Sequence, residues 1–319
     1  MDISLIRTFL EVAATGSFVN AADRLFVTQS AVSLRVQRLE DTLGQQLFTR
    51  SKAGAELTTA GREFESYALS LIKLWQEARQ QIALPAGFKA SLSIGAQYSL
   101  WPGFGFRWID ALREAKADLN IRADIGLPDR LTRLLIEGVI DAALVYTPQV
   151  RPGLIVEKVM EEDLIMIAAW PDADYEDMEG RYAFIDWGPE FVQAHAMHLP
   201  KLTNPGLTLA LGAMSAQYIR GRDKAAYVPA RYAKRFLDRE ELFLVPDAPV
   251  FPYPAYSVLR DDLPADILEL ARKTLANVAK SVQAEQDDVV EDLEEISEDA
   301  IETLGETTDL SDEENSAQA

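Results

Sequence analysis

Residues 17–50 read SFVNAADRLFVTQSAVSLRVQRLEDTLGQQLFTR and contain the strongest structural signal of the chain. Apolar residues recur at helical spacing before and within this stretch, and Gly16 and Gly44 mark helix ends. Thr28 is a favourable N-cap for the helix that Gly44 closes. Two helices joined by a short turn at Phe26-Val27 predict a helix-turn-helix unit.

One face of the second helix carries polar side chains suited to the major groove. A glutamine can hydrogen-bond the N6 and N7 atoms of adenine, and serine hydroxyls bond several base edges or phosphates. Arg35 and Arg38 flank this face, where they would meet phosphates; a plain solvated helix face is the alternative. The predicted DNA-contacting residues of this helix are Thr28, Gln29, Ser30, Ser33, Leu34, Arg35 and Arg38.

A wing follows the helix-turn-helix unit. Residues 46–50 have the pattern of a strand, residues 51–55 that of a turn, and residues 56–58 that of a returning strand. Such a hairpin would carry Arg50 and Lys52 towards the DNA backbone or the minor groove. These two cations complete the predicted DNA-contacting set.

This N-terminal segment resembles the LysR-type transcriptional regulators. The resemblance rests on motifs at fixed spacing: Phe9-Leu10-x-Val12, Gly16-Ser17-Phe18, Ala21-Ala22-x-x-Leu25, Thr28-Gln29-Ser30-Ala31-Val32-Ser33, Leu39-Glu40-x-x-Leu43-Gly44, Leu47-Phe48-x-Arg50 and Leu57-Thr58-x-Ala60-Gly61. It implies that polar residues of the second helix approach bases while arginines hold the backbone. These residues are Gln29, Ser30 and Ser33 for the bases and Arg35, Arg38 and Arg50 for the backbone.

One position departs from the common family pattern. Many members carry Arg directly after the equivalent of Ser33, whereas this chain has Leu34 and places its arginine one residue later. Leu34 either contacts a thymine methyl group or is ordinary surface, and both interpretations stay open.

Apolar residues from Ala60 to Leu84 recur every three or four positions and form a short heptad seam. The seam favours a long helix that pairs with a second copy of the chain, and packing within its own domain is the alternative. A paired helix would hold two recognition helices about one DNA turn, or a multiple of it, apart. The predicted seam comprises Phe64, Tyr67, Leu71, Leu74 and Ala78.

From Ser91 onward, short apolar strands alternate with helical patterns, one of them over 101–115, which predicts a doubly wound α/β architecture. Two subdomains are expected, with crossovers near 161–164 and 249–256. The expected domains are a winged helix-turn-helix domain (1–60), a dimerising linker helix with a hinge (61–90), a two-lobed effector domain (91–280) and an acidic, largely disordered tail (281–319). The first lobe spans about 91–162 and 256–280, and the second about 163–255.

Ligands of such folds bind beside the carboxyl ends of the strands. The loops at these ends are aromatic and polar with little fixed charge, which suits a small organic metabolite. Ordinary loop or core is the alternative for each residue. The candidate effector contacts are Gln97, Tyr98, Ser99, Leu127, Tyr146, Thr147, Trp187, Ser215 and Tyr227.

The same segment resembles the LysR effector domain, which is itself similar to periplasmic solute receptors. The matching motifs are Leu92-x-Ile94-Gly95, Gly138-x-x-Asp141-x-Ala143-Leu144 and Ala226-Tyr227-Val228-Pro229. Two further stretches resemble a branch that includes a repressor of flagellar genes. These are Ser99-Leu100-Trp101 and Asp186-Trp187-Gly188-Pro189.

The net charge of −20 is concentrated at the end of the chain. Fifteen of the 51 acidic residues follow Lys280, where no Lys or Arg occurs, and the first 90 residues carry a net charge of +1. Net charge therefore does not oppose DNA binding. We expect the tail to be a solvated extension, and the alternative is that it competes with DNA for the basic residues of the first domain. Deleting the chain after about Lys280 should then tighten non-specific binding at low salt.

Composition argues against several other classes of protein. The absence of cysteine excludes disulfides, thiol nucleophiles and cysteine-based metal sites. No stretch has the ~18 apolar residues of a membrane span, and no signal peptide is present, so we expect a cytoplasmic protein without membrane contact. His195 and His198 have the spacing of a metal-binding pair, but a structural or surface role is favoured. Without a nucleophile–base pair, we expect neither catalysis nor a cofactor.

These observations predict a sequence-specific transcriptional regulator that responds to a small-molecule effector. Its expected partners are double-stranded promoter DNA, an unidentified small effector and a second copy of the chain, with RNA polymerase as a further candidate. The resemblance favours a dimer of dimers. The alternatives are a solute-binding receptor or enzyme with an accessory helix-turn-helix domain, and an architectural DNA-binding protein.

Overall fold

The computed structural model describes residues 2–51 and 54–316. Its first part is a winged helix-turn-helix domain followed by a long linker helix. The elements are α1 (Ile3–Thr15), α2 (Phe18–Leu25), α3 (Gln29–Leu43), β1 (Phe48–Ser51), β2 (Gly54–Leu57) and α4 (Thr59–Ile82). The two strands pair antiparallel and form the wing.

Side-chain caps and residues in the left-handed conformation set the ends of the first three helices. The hydroxyls of Ser17 and Thr28 accept hydrogen bonds from amides in the first turns of α2 and α3, as N-caps do. Gly16 and Gly44 end α1 and α3 at φ angles of 61° and 67°, and Phe26 ends α2 at 54°. Local sequence therefore fixes where α3 begins and ends.

Aromatic and polar contacts join α3, the wing and the linker helix. The ring centroid of Phe9 lies 5.3 Å from that of Phe48 in the wing and 5.1 Å from that of Phe64 in α4. The buried carboxylate of Glu40 on α3 accepts hydrogen bonds from the amides of Leu47 at 2.7 Å and Phe48 at 3.3 Å. The recognition helix, the wing and the first turns of α4 are thus held together as one body.

The rest of the chain forms two lobes, each built on its own sheet. In chain order the elements are β3 (Ala90–Ala96), α5 (Phe106–Ala115), β4 (Leu119–Ile125), α6 (Pro128–Ile136), β5 (Ala142–Val145), β6 (Leu154–Met160), β7 (Asp163–Ala168), β8 (Phe184–Ile185), α7 (Pro189–His198), β9 (Thr208–Leu209), α8 (Ser215–Ile219), β10 (Ala225–Pro229), α9 (Ala230–Leu237), β11 (Phe243–Leu244), β12 (Phe251–Pro252), β13 (Ala255–Arg260) and α10 (Ala265–Ser316). None of the helices in the described part of the chain has both the length and the hydropathy that crossing a membrane requires.

The first lobe has a five-stranded sheet in the order β4-β3-β5-β13-β6. Strand β3 pairs in parallel with β4 and β5, and β13 pairs antiparallel with β5 and β6. In the second lobe β7 pairs antiparallel with β10, β11 and β12, and β8 pairs in parallel with β9. The chain enters the second lobe between β6 and β7 and leaves it between β12 and β13, so two short passages connect the lobes.

The helix predicted over residues 101–115 is wrong in its first part. An irregular turn occupies Trp101–Gly105, and α5 begins only after it. Pro102 is extended with a ψ angle of 127°, and Gly103 has a φ angle of 77°, so neither continues a helix. The apolar residues of this segment recur at helical spacing, so the sequence pattern did not indicate the interruption.

The tail predicted to be largely disordered is helical, because α10 runs into it without a break. Val282 and Val289 are buried in the core of the effector domain. The side-chain amide of Gln286 donates a hydrogen bond to the carboxylate of Asp163 on β7 at 2.9 Å. The apolar stripe between the acidic residues packs this part of the helix on the domain, so the predicted boundary at 281 is not a structural one.

Candidate functional site

The exposed face of α3 carries most of the side chains predicted to contact DNA. Gln29 and Ser30 are exposed in its first turn, directly after the Thr28 cap. Leu34 is 48% exposed, and Arg38 is exposed one turn further on. The N-terminal residues of a recognition helix contact base edges. The geometry therefore allows these side chains to enter a groove together.

The remaining predicted DNA contacts have different surroundings. Ser33 is half-buried, and the guanidinium of Arg35 donates a hydrogen bond to the hydroxyl of Thr8 on α1 at 3.4 Å. A phosphate bound by Arg35 would therefore lie beside α1. Arg50 is a residue of β1, whereas Lys52 lies outside the described residues.

Part of the predicted seam on α4 packs against the DNA-binding domain, and the rest is exposed. Phe64 and Leu71 are partly buried against the core of the DNA-binding domain, which supports the alternative of packing within that domain. Tyr67 and Leu74 are 69% and 63% exposed, and Ala78 is exposed as well. A stripe of exposed apolar side chains on one helix indicates a surface that a partner covers. This narrower stripe is the part that remains available to a second copy.

Ion pairs around Arg260 attach the linker helix to the first lobe. The guanidinium of Arg260 contacts Glu77 of α4 at 2.7 Å, Asp141 at 3.2 Å and Asp262 at 3.0 Å. Lys73 of α4 also pairs with Asp262. Because Arg260 and Asp141 are buried, separating these charges is costly. These ion pairs join α4 to the first lobe.

Three of the predicted effector contacts use their polar groups within the fold, and a fourth has an exposed side chain. The indole of Trp187 donates to the carbonyl of Tyr227 at 3.0 Å, and the hydroxyl of Tyr227 donates to another backbone carbonyl at 2.7 Å. The side-chain oxygen of Gln97 accepts a hydrogen bond from the amide of Tyr146 at 2.7 Å. The apolar side chain of Leu127 is 74% exposed. These residues have structural or surface surroundings in this conformation.

The other predicted effector contacts lie near the place where the lobes meet. They are Tyr98, Ser99, Tyr146, Thr147 and Ser215. The turn at residues 98–100 packs against residues 212–214 of the second lobe. Glu162 and Arg231, which sequence reasoning missed, are buried here, and Glu162 accepts a hydrogen bond from the hydroxyl of Tyr146 at 2.8 Å. Glu162 lies within the crossover predicted near residues 161–164, but only the fold brings Arg231 to it.

His195 is enclosed by aromatic rings. It is 1% exposed, and its ring centroid lies 5.0 Å from that of Phe184 and 5.4 Å from that of Tyr182. In the described part of the chain its Nε2 atom has no hydrogen-bond partner, and no group of three acidic or histidine side chains is placed to hold a metal ion. His198 is exposed and hydrogen-bonded to the carbonyl of Ala194. His195 is therefore a core residue and His198 a surface residue.

Burial of His195 should make the stability of the protein depend on pH. Desolvation lowers the pKa of His195 to about 4, whereas its ordinary value is 6.5. Between these values the unfolded chain binds more protons than the folded one, so the free energy of unfolding should fall as the pH drops from 6.5 to 4. The expected loss is up to about 3 kcal/mol. Chemical denaturation across this range should show a weaker dependence in His195→Phe, whereas the control His198→Gln should resemble the parent; an unchanged slope in His195→Phe would contradict the prediction.

Comparison with known proteins gives matches over nearly the whole chain. The family profile described as a bacterial regulatory helix-turn-helix protein of the lysR family matches residues 3–62, and the LysR substrate binding domain profile matches residues 85–270. The HTH-type transcriptional regulator HdfR of Yersinia pestis (strain Pestoides F) is 30% identical over 297 residues, which cover 89% of this chain and all of the relative.

Two solved structures show the same fold. ArgP from Mycobacterium tuberculosis matches with a TM-score of 0.52 and 23% identity, over 88% of this chain and 97% of that protein. Full-length LysG from Corynebacterium glutamicum, with bound effector Arg, matches with a TM-score of 0.51 and 19% identity, over 88% and 99%. At these identities the likeness concerns the fold alone.

Proposed function

The chain belongs to the LysR family of bacterial transcriptional regulators, and we propose that it binds dyad-symmetric operator DNA as a homodimer through paired α3 helices. The members of this family carry a DNA-binding helix-turn-helix domain and an effector-binding domain, and they are regulators and not enzymes. A solute receptor or an enzyme with an accessory domain is therefore no longer a competing interpretation.

One observation carries the proposal that two recognition helices act as a pair. The exposed polar turn of α3 and the exposed apolar stripe of α4 belong to the same body, which the contacts of Phe9 and Glu40 hold together. If two copies pair through Tyr67, Leu74 and Ala78, the positions of both α3 helices are fixed relative to each other. Half-site spacing then follows from protein geometry.

We further propose how the effector domain controls DNA binding by the paired α3 helices. A small molecule bound between the lobes shifts the subunit arrangement because its affinity for the two arrangements differs. The ion pairs of Arg260 with Glu77 and Asp141 support this route, since they join α4 to the first lobe. The result would be altered DNA bending or a contact with RNA polymerase. We propose that two dimers act together, and that they do so in the cytoplasm.

The proposed function is tested on the DNA immediately upstream of the protein's own gene. We expect a retarded complex in a mobility-shift assay and, by footprinting, two protected half-sites on one side of the duplex. Unrelated DNA of the same length is the control. Equal affinity for both fragments would contradict sequence-specific regulation and favour an architectural role.

The position of α10 changes how the acidic tail should be tested. A cut after Lys280 would remove the buried Val282 and Val289 and should destabilise the domain, so it does not isolate the effect of charge. A cut after Glu295 keeps both side chains and removes eight acidic residues. If the tail competes with DNA for basic residues, this cut should tighten non-specific binding by about fivefold at low salt and little at high salt. Fluorescence anisotropy checks this, and equal affinities at low salt would rule out competition.

A further inference from the structure

The C-terminal helix α10 contacts both lobes of the effector domain. It begins at Ala265, shortly after the last strand of the first lobe, and it packs against α5 of the first lobe and α9 of the second. Between Ala265 and Leu293 the helix spans about 40 Å, at 1.5 Å per residue. The described chain passes from one lobe to the other twice, before β7 and after β12. Helix α10 is therefore a further connection between the lobes.

Polar contacts attach α10 to the first lobe. The indole of the buried Trp108 on α5 donates hydrogen bonds to the carbonyl of Ala271 at 3.2 Å and to the hydroxyl of Thr274 at 3.0 Å. The guanidinium of Arg107, also on α5, contacts the carboxylate of Glu285 at 2.6 Å. These contacts lie along four turns of the helix. The part of α10 that ends at Glu285 is therefore fixed to the first lobe.

The next turns of α10 adjoin the second lobe. Gln286 is 1% exposed, and its side-chain amide donates a hydrogen bond to the carboxylate of Asp163 at 2.9 Å. Asp163 is the first residue of β7, the strand with which the other strands of that sheet pair. Val289 and Leu293 lie on the same helix face as Gln286 and are 1% and 6% exposed. One face of residues 286–293 is therefore docked on the domain.

Acidic side chains crowd the outer face of the same turns. Asp287, Asp288, Glu291 and Asp292 are all exposed. They form two like-charged pairs at i, i+4 spacing, and such pairs destabilise an isolated helix. A short helix is marginal in water even without such repulsion. Docking on the domain therefore keeps these turns helical, so their release and their unfolding go together.

We propose that residues 286–293 of α10 are a strap that holds the two lobes in this arrangement and that can release them. Lobes joined by short passages move about hinges at those passages. A helix fixed to the first lobe up to Glu285 and to the second through Gln286 resists this movement. The matched family profiles end at residue 270, so the strap lies outside the part of the chain that they describe. Its release would let the lobes rearrange without a ligand, which places the effector domain under the control of the C-terminal helix.

The strap is tested by measuring the distance between the lobes in the full chain. Because the sequence contains no cysteine, Glu114→Cys on α5 and Ala196→Cys on α7 place one spin label at an exposed position of each lobe. Labelled chains are diluted with unlabelled chains, so that only distances within one chain are measured. In Val289→Asp a carboxylate replaces a buried side chain, which is unfavourable unless the strap undocks. The distance distribution should then broaden or shift by more than about 2 Å, the scale of domain rearrangements.

Ala284→Asp is the matched control, because it adds the same charge at an exposed position of α10. This variant should keep the distance distribution of the parent. Hydrogen exchange of both variants shows whether each lobe stays folded. A folded Val289→Asp variant with the parent's distribution would overturn the strap.

Shortening the chain is a second test, which leaves no charge in the core. A chain that ends at Glu285 lacks the strap, whereas a chain that ends at Glu295 keeps Gln286, Val289 and Leu293. The first should show the broadened or shifted distribution and the second that of the parent. Equal distributions in the two shortened chains would contradict the strap. Unfolding of the second lobe in the shorter chain would also overturn it, because these residues would then be part of that lobe's core.

Discussion

Replacing Gln29 by alanine is expected to weaken binding to the specific operator by about 10- to 100-fold, the effect of losing one good side-chain pair with a base. Gln29 is exposed in the first turn of α3, where the Thr28 cap fixes the start of the helix. Because glutamine is uncharged, its removal should not change the number of ions released on binding. The dependence of affinity on salt should therefore keep its slope.

The control for this prediction is Gln37→Ala, which removes the same kind of exposed side chain two turns further along α3. Its effect should be smaller, since bases are contacted mainly by the first turns of a recognition helix. Fluorescence anisotropy with operator and scrambled DNA measures both variants. An equal loss on operator and scrambled DNA would contradict base recognition by Gln29.

Introducing glutamate at both Tyr67 and Leu74 is expected to separate the homodimer and to lower operator affinity by at least about 100-fold. These side chains are 69% and 63% exposed in the single chain and lie on the stripe proposed to pair. Two carboxylates on each helix would face each other across the seam and repel. A monomer then binds only one half-site. It loses the gain in affinity that comes from linking two DNA-binding domains, which is about 10² to 10⁴.

Ser66→Glu is the matched control, because Ser66 is exposed on another side of α4. Sedimentation velocity should show a monomer for the double variant and the parent's assembly for the control. Since Phe64 and Ile72 hold α4 to its own domain, unfolding of that domain should be little changed. A double variant that stays dimeric with full affinity would place the dimer interface elsewhere.

The family, the α/β fold class and the regulatory function predicted from the sequence are confirmed. Prediction succeeds in the DNA-binding domain because its signals are local. The caps at Ser17 and Thr28 and the helix ends at Gly16 and Gly44 each depend on a few neighbouring residues. Such signals can be read along the chain without knowledge of its folding.

Prediction is weaker where distant parts of the chain meet. Glu162 and Arg231 are 69 residues apart, and neither sits in a motif that signals the pairing. Trp187 and Tyr227 follow the rule for loops at strand ends, yet both are core residues, since the rule gives a region and not the direction of each side chain. In the tail, helical spacing of apolar residues such as Val289 allowed a fraying helix, but only the fold shows the surface of the effector domain on which this side chain packs.

Genome-wide mapping of bound DNA, with the parent protein and Gln29→Ala compared in the same cells, tests the central claim most directly. We predict discrete sites that share a dyad with half-sites about one helical turn or a multiple of it apart. Most of them should disappear with Gln29→Ala although the protein level is unchanged. Diffuse binding without a shared dyad, or the same sites in both samples, would contradict a paired, sequence-reading regulator.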